Sequence, residues 1–328
     1  MTSAADPTPA PGRPAPPAAP APPDLPGSHD QEHRELTRAF ALAAAMTLLM
    51  TLLRTPPSSS VFLTVLVIAG LLAPRYLRGS PWFWALLFVM FLISPILRPW
   101  LALDNHHFLH VYWLAAIALT RFASRPDEAL QTVARLLIGL AFAFAVAWKL
   151  LVPEFVDGSF FEYTFGTDSR LAEVAVAVGI HQDGFHQANR DVVSSWQEPD
   201  TEPAAGEMAI SSSIASLSIL LAWLTIVIEG AVAVTFLAPL RGRWRWLRDA
   251  ALLVFVASTY PLAPVLGFAW LLICMGAMAS HLRTAWRYGL YVTAFAAVAL
   301  LEERAAMLAW VQTSGLGDVL RSIGSVFF

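Results

Sequence analysis

The chain contains a single lysine, Lys149, which follows the apolar run Leu136–Trp148. Placing a charge at the centre of a membrane costs roughly 2.5–3.5 kcal/mol on insertion scales, so a charged residue in an apolar run is a candidate functional group. A lysine partly removed from water can lose its proton and act as a general base. Alternatively, Lys149 extends its ammonium group to the membrane surface beside Trp148. The sequence alone leaves both interpretations open.

A second charged residue, Glu229, lies well inside the apolar run Ile214–Leu237. Its neighbours in the sequence include no cationic residue that could pair with it. A carboxyl group inside an apolar helix needs a partner on another helix. We therefore expect Glu229 to be a structural carboxyl group that is hydrogen-bonded to a neighbouring helix.

A third group of polar residues, Asp104–His110, stands at the start of another apolar run. His106 and His110 are four residues apart, so they share one face of a helix and have a spacing that can hold a metal ion. Only two further histidines fall on the same predicted side, which is few for a histidine-rich metal centre. We expect no metal site. The alternative to a metal site is that these residues form the polar start of a helix, which Asp104 or Asn105 caps.

The composition indicates what kind of protein positions these groups. Of the 328 residues, 57% are hydrophobic and 14% are charged, and the mean hydropathy is +0.58. Soluble domains contain about 25% charged residues, so the composition predicts a polytopic helical membrane protein. The net charge of −3 argues against a nucleic-acid partner. Cys274 is the only cysteine, which excludes an intrachain disulfide and a cysteine-based metal centre.

The hydropathy pattern predicts an all-α transmembrane bundle of about eight or nine helices. The apolar runs are approximately 36–53, 61–74, 82–97, 106–120, 133–152, 209–240, 247–260, 265–280 and 288–301. As one helix, 247–280 would be ~50 Å long, so Pro261 and Pro264 are expected to divide it into two. Residues 1–30, rich in proline and alanine, are predicted to be a disordered tail, and 31–328 the transmembrane domain.

The arginine distribution predicts the side of the membrane on which each segment lies. With a cytoplasmic N-terminus, 13 arginines fall in inside segments and six in outside segments, as the positive-inside rule requires. The segment 153–208, with 11 acidic and two basic residues, then forms a long loop outside. In this topology Asn105, His106 and Lys149 lie at the outer ends of their helices and could face one another. The expected location is the cytoplasmic membrane, with lipid as a partner.

Three motifs occur in an order and spacing that resemble a known family. The first is Asp104–Leu109, the second is Phe144–Leu150 followed by Pro153–Gly158, and a weaker third is Trp223–Thr225 with Glu229. Over most of residues 36–300, the chain resembles the HTTM (horizontally transferred transmembrane) domain family. This family includes the membrane part of vitamin K-dependent gamma-carboxylase.

The resemblance implies quinol chemistry. In the carboxylase, the matching lysine is the base that deprotonates reduced vitamin K, and oxygenation then yields an epoxide and a strong base that acts on a glutamyl side chain. Carried over, Lys149 would be the general base, and Asn105 and His106 would hydrogen-bond the quinol oxygen and stabilise its anion. Trp148 would belong to the cofactor-binding group. The implied cofactor is reduced vitamin K or a similar menaquinol, and the implied partner is a secreted or membrane-proximal peptide.

The same comparison motivates an alternative function. The stretch Phe255–Tyr260, ahead of Gly267–Phe268, contains no histidine where the carboxylases have one. Only a short segment follows the last apolar run, where the carboxylases carry a large peptide-binding domain. The alternative is a non-catalytic membrane accessory protein that holds a secreted peptide or a partner, similar to accessory proteins of peptide-toxin maturation.

Overall fold

A computed structural model describes residues 28–54, 61–93, 105–168, 185–197, 208–261, 265–280 and 285–313. Throughout these ranges the secondary structure is helical, with short turns and no strand, which confirms the predicted all-α class. Of the predicted tail, residues 28–30 begin the first helix, and residues 1–27 lie outside the described part of the chain.

The described helices follow one another with few long connections. In chain order they are α1 Ser28–Arg54, α2 Val61–Leu72, α3 Pro74–Leu77, α4 Pro81–Ile93, α5 Asn105–Thr120, α6 Pro126–Leu151, α7 Pro153–Val156, α8 Ser159–Thr167, α9 Phe185–Gln197, α10 Ser212–Leu237, α11 Trp246–Thr259, α12 Leu266–Ala279 and α13 Ala285–Thr313. A short 3-10 helix, Gly242–Arg245, precedes α11. The stretch 247–280 forms two helices, as predicted, and helices α7–α9 occupy part of the segment 153–208 that was expected to be a loop.

Sequence signals at the helix ends account for several of these bounds. Pro126 begins α6. The first turn of a helix has backbone N–H groups without partners inside the helix, and proline suits this position because it has no backbone N–H. Asp127 follows in the first turn, where a carboxylate favours the positive end of the helix dipole. Ser211 caps α10 by accepting a hydrogen bond from the backbone nitrogen of Ile214 at 3.4 Å. The two helices that carry Lys149 and Glu229 therefore have well-defined starts.

Helix α12 forms the centre of the bundle, because all of its residues are buried except Phe268, which is partly buried. It packs against α1, α5, α6, α11 and α13. Small residues permit close approach between apolar helices, and Gly276 of α12 lies directly against Leu252 of α11 and Tyr291 of α13. The other helices are thus arranged around a core helix that carries no charge.

Polar contacts bring several helix ends together at what we call the Asp127 end of the bundle. Arg121, just after α5, pairs with Asp127 at 2.8 Å, and Thr37 of α1 donates to the same carboxylate at 3.2 Å. Gln131 of α6 donates to the backbone oxygen of Ser280, at the end of α12, at 3.5 Å. The Asp127 end therefore collects the start of α1, the end of α5, the start of α6 and the end of α12.

Among the helices that the structure describes, three are long and apolar enough to cross a membrane: His33–Arg54 within α1, Pro126–Leu151 and Ser212–Leu237. Shorter apolar helices are Val61–Leu72, Pro81–Ile93, Leu266–Ala279 and Trp286–Leu301. Only 28% of the most apolar stretch of α6 and 33% of that of α10 are buried inside the bundle, so most of their apolar side chains face outward. This arrangement is compatible with a membrane protein.

The close packing of α12 can be tested at Gly276. A Cβ atom there would lie 2.9 Å from a ring carbon of Tyr291, so we expect Gly276→Ala to lower the free energy of unfolding by about 1–3 kcal/mol through overpacking. The matched control is Gly230→Ala in α10, where an added Cβ would meet no atom within 4 Å. It should keep or raise the Tm, because alanine favours a helix over glycine by about 1 kcal/mol. Thermal unfolding in detergent measures the stability of both variants. Equal changes in Tm for Gly276→Ala and Gly230→Ala would contradict the close packing at Gly276.

Candidate functional site

Lys149 and Glu229 form an ion pair between α6 and α10. The ammonium nitrogen of Lys149, Nζ, donates to both carboxylate oxygens of Glu229, at 2.7 Å to Oε1 and 2.6 Å to Oε2. The two side chains are only 18% and 9% exposed. An isolated charge in an apolar environment is strongly unfavourable, so each of these charges depends on the other.

The packing of α6 against α10 sets the position of the pair along the bundle. Gly139 of α6 lies against Leu237 at the end of α10, where a Cβ atom on Gly139 would be 2.7 Å from Leu237 Cδ2. Ten residues further along α6, Lys149 meets Glu229, which precedes Leu237 by eight residues, so the two helices are antiparallel. Eight residues correspond to about 12 Å of helix. The pair therefore lies within the length of α10, although Lys149 is close to the end of α6.

Helix α7 turns back over the pair. The ring centre of Phe155 is 5.3 Å from Lys149 Nζ, a favourable cation–π contact, and Phe155 packs with Ala222 and Ile226 of α10. The chain can reverse here because Gly158 has a φ of 89°, a left-handed conformation that glycine adopts at little cost. Lys149 is therefore covered, even though it is almost the last residue of its helix.

The turn after α7 carries an acidic group that stays charged. Ser159 donates to Asp157 Oδ1 from its backbone nitrogen at 2.9 Å and from its hydroxyl at 2.7 Å. These hydrogen bonds lower the pKa of the exposed Asp157 carboxyl group, because they stabilise its ionised form. The surface next to the covered ion pair is thus negatively charged.

Tyr260 is a further polar residue close to the pair. It is buried, and its hydroxyl has no hydrogen-bond partner in the described part of the chain. It lies near enough to Glu229 for the two groups to interact electrostatically. Sequence reasoning did not select Tyr260, because a tyrosine at the end of an apolar run gives no distinctive signal. It ends the stretch Phe255–Tyr260, in which the resembling carboxylases have a histidine.

The structure buries most of the Lys149 side chain and gives it a partner that the sequence did not reveal. Its ammonium group is held by Glu229 and does not extend to the surface, and its described contacts do not include His106. His106 instead lies against the start of α12, where a Cβ atom on Gly267 would be 2.7 Å from His106 Nε2 and would also meet Arg54 of α1. The structure therefore brings Lys149 and Glu229 together, and it places His106 against Gly267 at the start of α12.

The two other histidines of this cluster have their own partners. His110 is buried, with its Nε2 3.4 Å from the Thr51 hydroxyl and its ring 4.3 Å from that of Phe91. His107 Nε2 is 3.1 Å from the backbone oxygen of Phe91. Within the described ranges, no group of three or more histidine, cysteine or acidic side chains is placed to hold a metal ion. These histidines thus serve to pack α5 against α1 and α4.

The remaining predicted site residues contribute less to the described site. Trp148 is 70% exposed, on the outer surface of α6 beside Lys149. Asn105 is the first residue of α5, and its side chain is outside what the structure describes, as is Asp104. Trp148 can therefore meet a ligand that approaches Lys149 from outside the bundle, but it does not touch the pair through any described contact.

A second buried polar cluster lies at the Asp127 end and was not predicted from the sequence. The Asp249 carboxylate of α11 accepts hydrogen bonds from the hydroxyls of Ser280 and Tyr291, the latter at 2.9 Å, and Arg287 approaches it at 3.6 Å. These contacts join α11, the end of α12 and α13. In the sequence, Asp249 stands among arginines in the first turn of a helix, where an acidic residue is common. The sequence around Asp249 therefore does not indicate that its side chain is buried.

Comparison of the chain with protein-family models, with curated proteins and with solved structures gave no match. The resemblance to the HTTM family therefore stands on the motifs around His106, Lys149 and Glu229 alone. The function must be argued from the site itself.

The dependence of the two charges on each other can be measured with single and double variants. Lys149→Met leaves the Glu229 carboxylate buried without its partner, so we expect it to lower the free energy of unfolding by about 3 kcal/mol. The double variant Lys149→Met/Glu229→Met should recover most of that loss, because both charges are then replaced by apolar groups of similar size. Thermal unfolding in detergent, followed by tryptophan fluorescence, measures both. Equal losses in the single and double variants would show that the charges are not coupled.

The Asp249 cluster provides a matched pair of tyrosines on α13. Tyr291→Phe removes a hydroxyl that donates to Asp249, and we expect a loss of about 1–2 kcal/mol in the free energy of unfolding. The Tyr288 hydroxyl is buried and has no hydrogen-bond partner among the described residues, so Tyr288→Phe should cost nothing or stabilise the protein. Thermal unfolding of the two variants under identical conditions tests this. A larger loss for Tyr288→Phe would contradict the hydrogen-bond assignment.

Proposed function

We propose that the chain is an integral membrane protein of the HTTM type in which the Lys149–Glu229 pair removes a proton from the hydroxyl of a reduced, quinone-like ligand. The observation that carries this proposal is the covered ion pair inside an apolar helix bundle. Charged groups in such positions are rare, because they are energetically unfavourable, and they commonly mark proton pathways or substrate sites.

The geometry changes the role that each residue would have. A lysine that is paired as an ammonium ion cannot accept a proton, so Lys149 can act as the base only after its own proton moves to Glu229. The distance of 2.6 Å between Nζ and Oε2 is short enough for that transfer. The transfer gives a neutral amine and a neutral carboxylic acid, a form that burial favours over two separate charges. When the amine then accepts a ligand proton, the pair gains one positive charge, which stabilises the ligand anion.

The polar groups around the pair fit a hydroxyl-bearing aromatic ligand. An ammonium group has three N–H donors, and the described contacts of Lys149 use two of them. The buried Tyr260 hydroxyl offers a further donor or acceptor. Phe155 supplies an aromatic ring next to Lys149, and the exposed Trp148 precedes Lys149 on α6. When bound, a reduced quinone would supply the acidic hydroxyl. Asn105 and His106, which the family resemblance also implicates, would contact it from the start of α5.

The orientation is part of the same proposal. The Asp127 end would face the cytoplasm, in agreement with the arginine distribution, and α7–α9 would lie on the outer side. Helices α1, α6 and α10 would cross the membrane together with the shorter apolar helices.

A second candidate function is a non-catalytic accessory protein that binds a secreted peptide. Two observations favour it: Lys149 and Glu229 satisfy each other as a structural salt bridge would, and the acidic segment after Lys149 forms helices that pack on one another and on α10. A basic peptide would be attracted to this negatively charged surface. Binding of such a peptide, with no turnover of any quinol, would favour this candidate.

The principal experiment measures epoxide formation in proteoliposomes that contain reduced menaquinone and oxygen. The wild type should form the epoxide, whereas Lys149→Ala and Glu229→Gln should lower the rate by about 10²- to 10⁴-fold, the usual contribution of a general base. Tyr260→Phe should lower the rate less, because it removes one hydrogen bond and no charge. Tyr288→Phe, whose hydroxyl lies on α13 away from the pair, is the matched control and should leave the rate unchanged.

Two results would overturn the assignment of the base. One is equal epoxide formation by Lys149→Ala and the wild type, and the other is no epoxide with the wild type. Thermal unfolding of Lys149→Met/Glu229→Met shows independently whether the protein still folds without the pair. A stable double variant without activity identifies a reactive pair rather than a merely structural one.

A further inference from the structure

The last residue of α1, Arg54, has no role in the chemistry proposed above, although it lies beside a residue that has one. A Cβ atom on Gly267 would lie 2.7 Å from His106 Nε2 and closer still to the Nη1 atom of Arg54. Because both nitrogens are so near to one point, they are less than twice that distance apart. The guanidinium of Arg54 and the imidazole of His106 therefore lie next to each other, in the space that a side chain on Gly267 would fill.

Positive charge is concentrated at this place. Arg54 is exposed, and within the described ranges no carboxylate forms an ion pair with it. Gly267 is the second residue of α12, and the first turn of a helix is the positive end of its dipole. The charge of Arg54 and the start of α12 therefore both favour a ligand that carries negative charge.

Along the bundle, this group is separated from Lys149 by about two turns of helix. The ring centre of Phe268, in the first turn of α12, is 6.3 Å from that of Phe142 on α6. Phe142 precedes Lys149 by seven residues, which corresponds to about 10 Å of helix. Charges interact over such distances inside an apolar bundle, because the dielectric constant there is far below that of water. The charge of Arg54 therefore acts on a ligand that is bound at Lys149.

We propose that Arg54 is a further binding residue of the quinol site and stabilises the anion that forms when the ligand loses its proton. In that step the ligand O–H bond breaks, the Lys149 amine takes the proton, and the electron pair stays on the ligand oxygen. The inference rests on the proposed function, in which His106 contacts the ligand. A guanidinium group suits this role because it stays charged and offers several N–H donors to an anionic oxygen.

Two ligands of similar shape separate the effect of charge from that of shape. Phthiocol is a hydroxynaphthoquinone that is an anion at neutral pH, and menadione has the same methylated ring without the hydroxyl group. Quenching of tryptophan fluorescence measures their binding to the full chain in neutral detergent, without turnover. We expect the wild type to prefer phthiocol. Arg54→Gln should weaken phthiocol binding about tenfold and leave menadione binding unchanged, whereas Arg54→Lys, which keeps the charge, should retain most of the preference.

Gly267→Ala provides a second variant, in which Arg54 keeps its charge. The added Cβ atom would overlap the side chains of both Arg54 and His106, so these must move and the preference for phthiocol should fall. The matched control is Gly230→Ala, where an added Cβ atom would meet nothing within 4 Å, and it should keep the preference. A second control is Arg125→Gln, which removes an exposed arginine that pairs with Glu128 at 3.3 Å and should also have no effect.

The same variants are compared in proteoliposomes with reduced menaquinone. A charge that favours the anion over the neutral quinol contributes to proton removal and not to substrate binding, so Arg54→Gln should lower kcat about tenfold and change KM little. A residue that only joins helix ends would change the Tm and leave both the kcat and the preference for phthiocol intact.

The inference is wrong if the wild type does not prefer phthiocol, or if Arg54→Gln keeps the wild-type preference at an altered or unaltered Tm. Failure of the proposed function is recognised separately, because it is read from epoxide formation by the wild type and by Lys149→Ala. A preference that Arg54→Gln abolishes, in a protein whose Lys149→Ala variant still forms the epoxide, supports Arg54 as the anion-binding residue and removes Lys149 as the base.

Discussion

Two opposite charges between apolar helices can exist only in contact with each other, and this requirement governs the packing of α6 on α10. Lys149 and Glu229 meet where the two antiparallel helices cross at close range, and a shift of either helix by one residue would separate them by 1.5 Å along the axis. Gly139 keeps the helices close on one side of the pair. The ion pair thus fixes the register of α6 and α10, and the other groups of the site are placed relative to it.

The same requirement explains why the segment after α6 folds back. A lysine near the end of a helix would normally extend into water or to the membrane surface, which would separate it from Glu229. Phe155 covers the ammonium group, and the left-handed Gly158 lets α8 pack against α10 beyond it. The acidic segment is therefore not only a loop on the surface. Its first part completes the environment that keeps the pair together.

The sequence was sufficient to predict the helical class, the division of 247–280 into two helices and the unusual character of Lys149 and Glu229. It could not predict that these two residues pair, because they are 80 residues apart and their contact depends on how α6 packs against α10. It also suggested that Lys149 and His106 share one site, since both fall at helix ends on the predicted outer side of the membrane. Helix position alone does not specify which face meets which neighbour, and in the structure His106 lies against Gly267 of α12, next to Arg54 of α1.

The proposed function treats Lys149 and Glu229 as a reactive pair, and the polar groups near Glu229 bear on that proposal. A salt bridge that serves only stability gains most when every donor and acceptor around it is satisfied. Here Lys149 retains one N–H that no described contact uses, and the nearby Tyr260 hydroxyl is buried without a described hydrogen-bond partner. In the proposed mechanism, the Tyr260 hydroxyl and the unused N–H of Lys149 are the groups that a ligand would meet. In the Asp249 cluster, Ser280 and Tyr291 both donate to the Oδ1 atom of Asp249, and Arg287 approaches its Oδ2 atom at 3.6 Å. These contacts link α11, the end of α12 and α13.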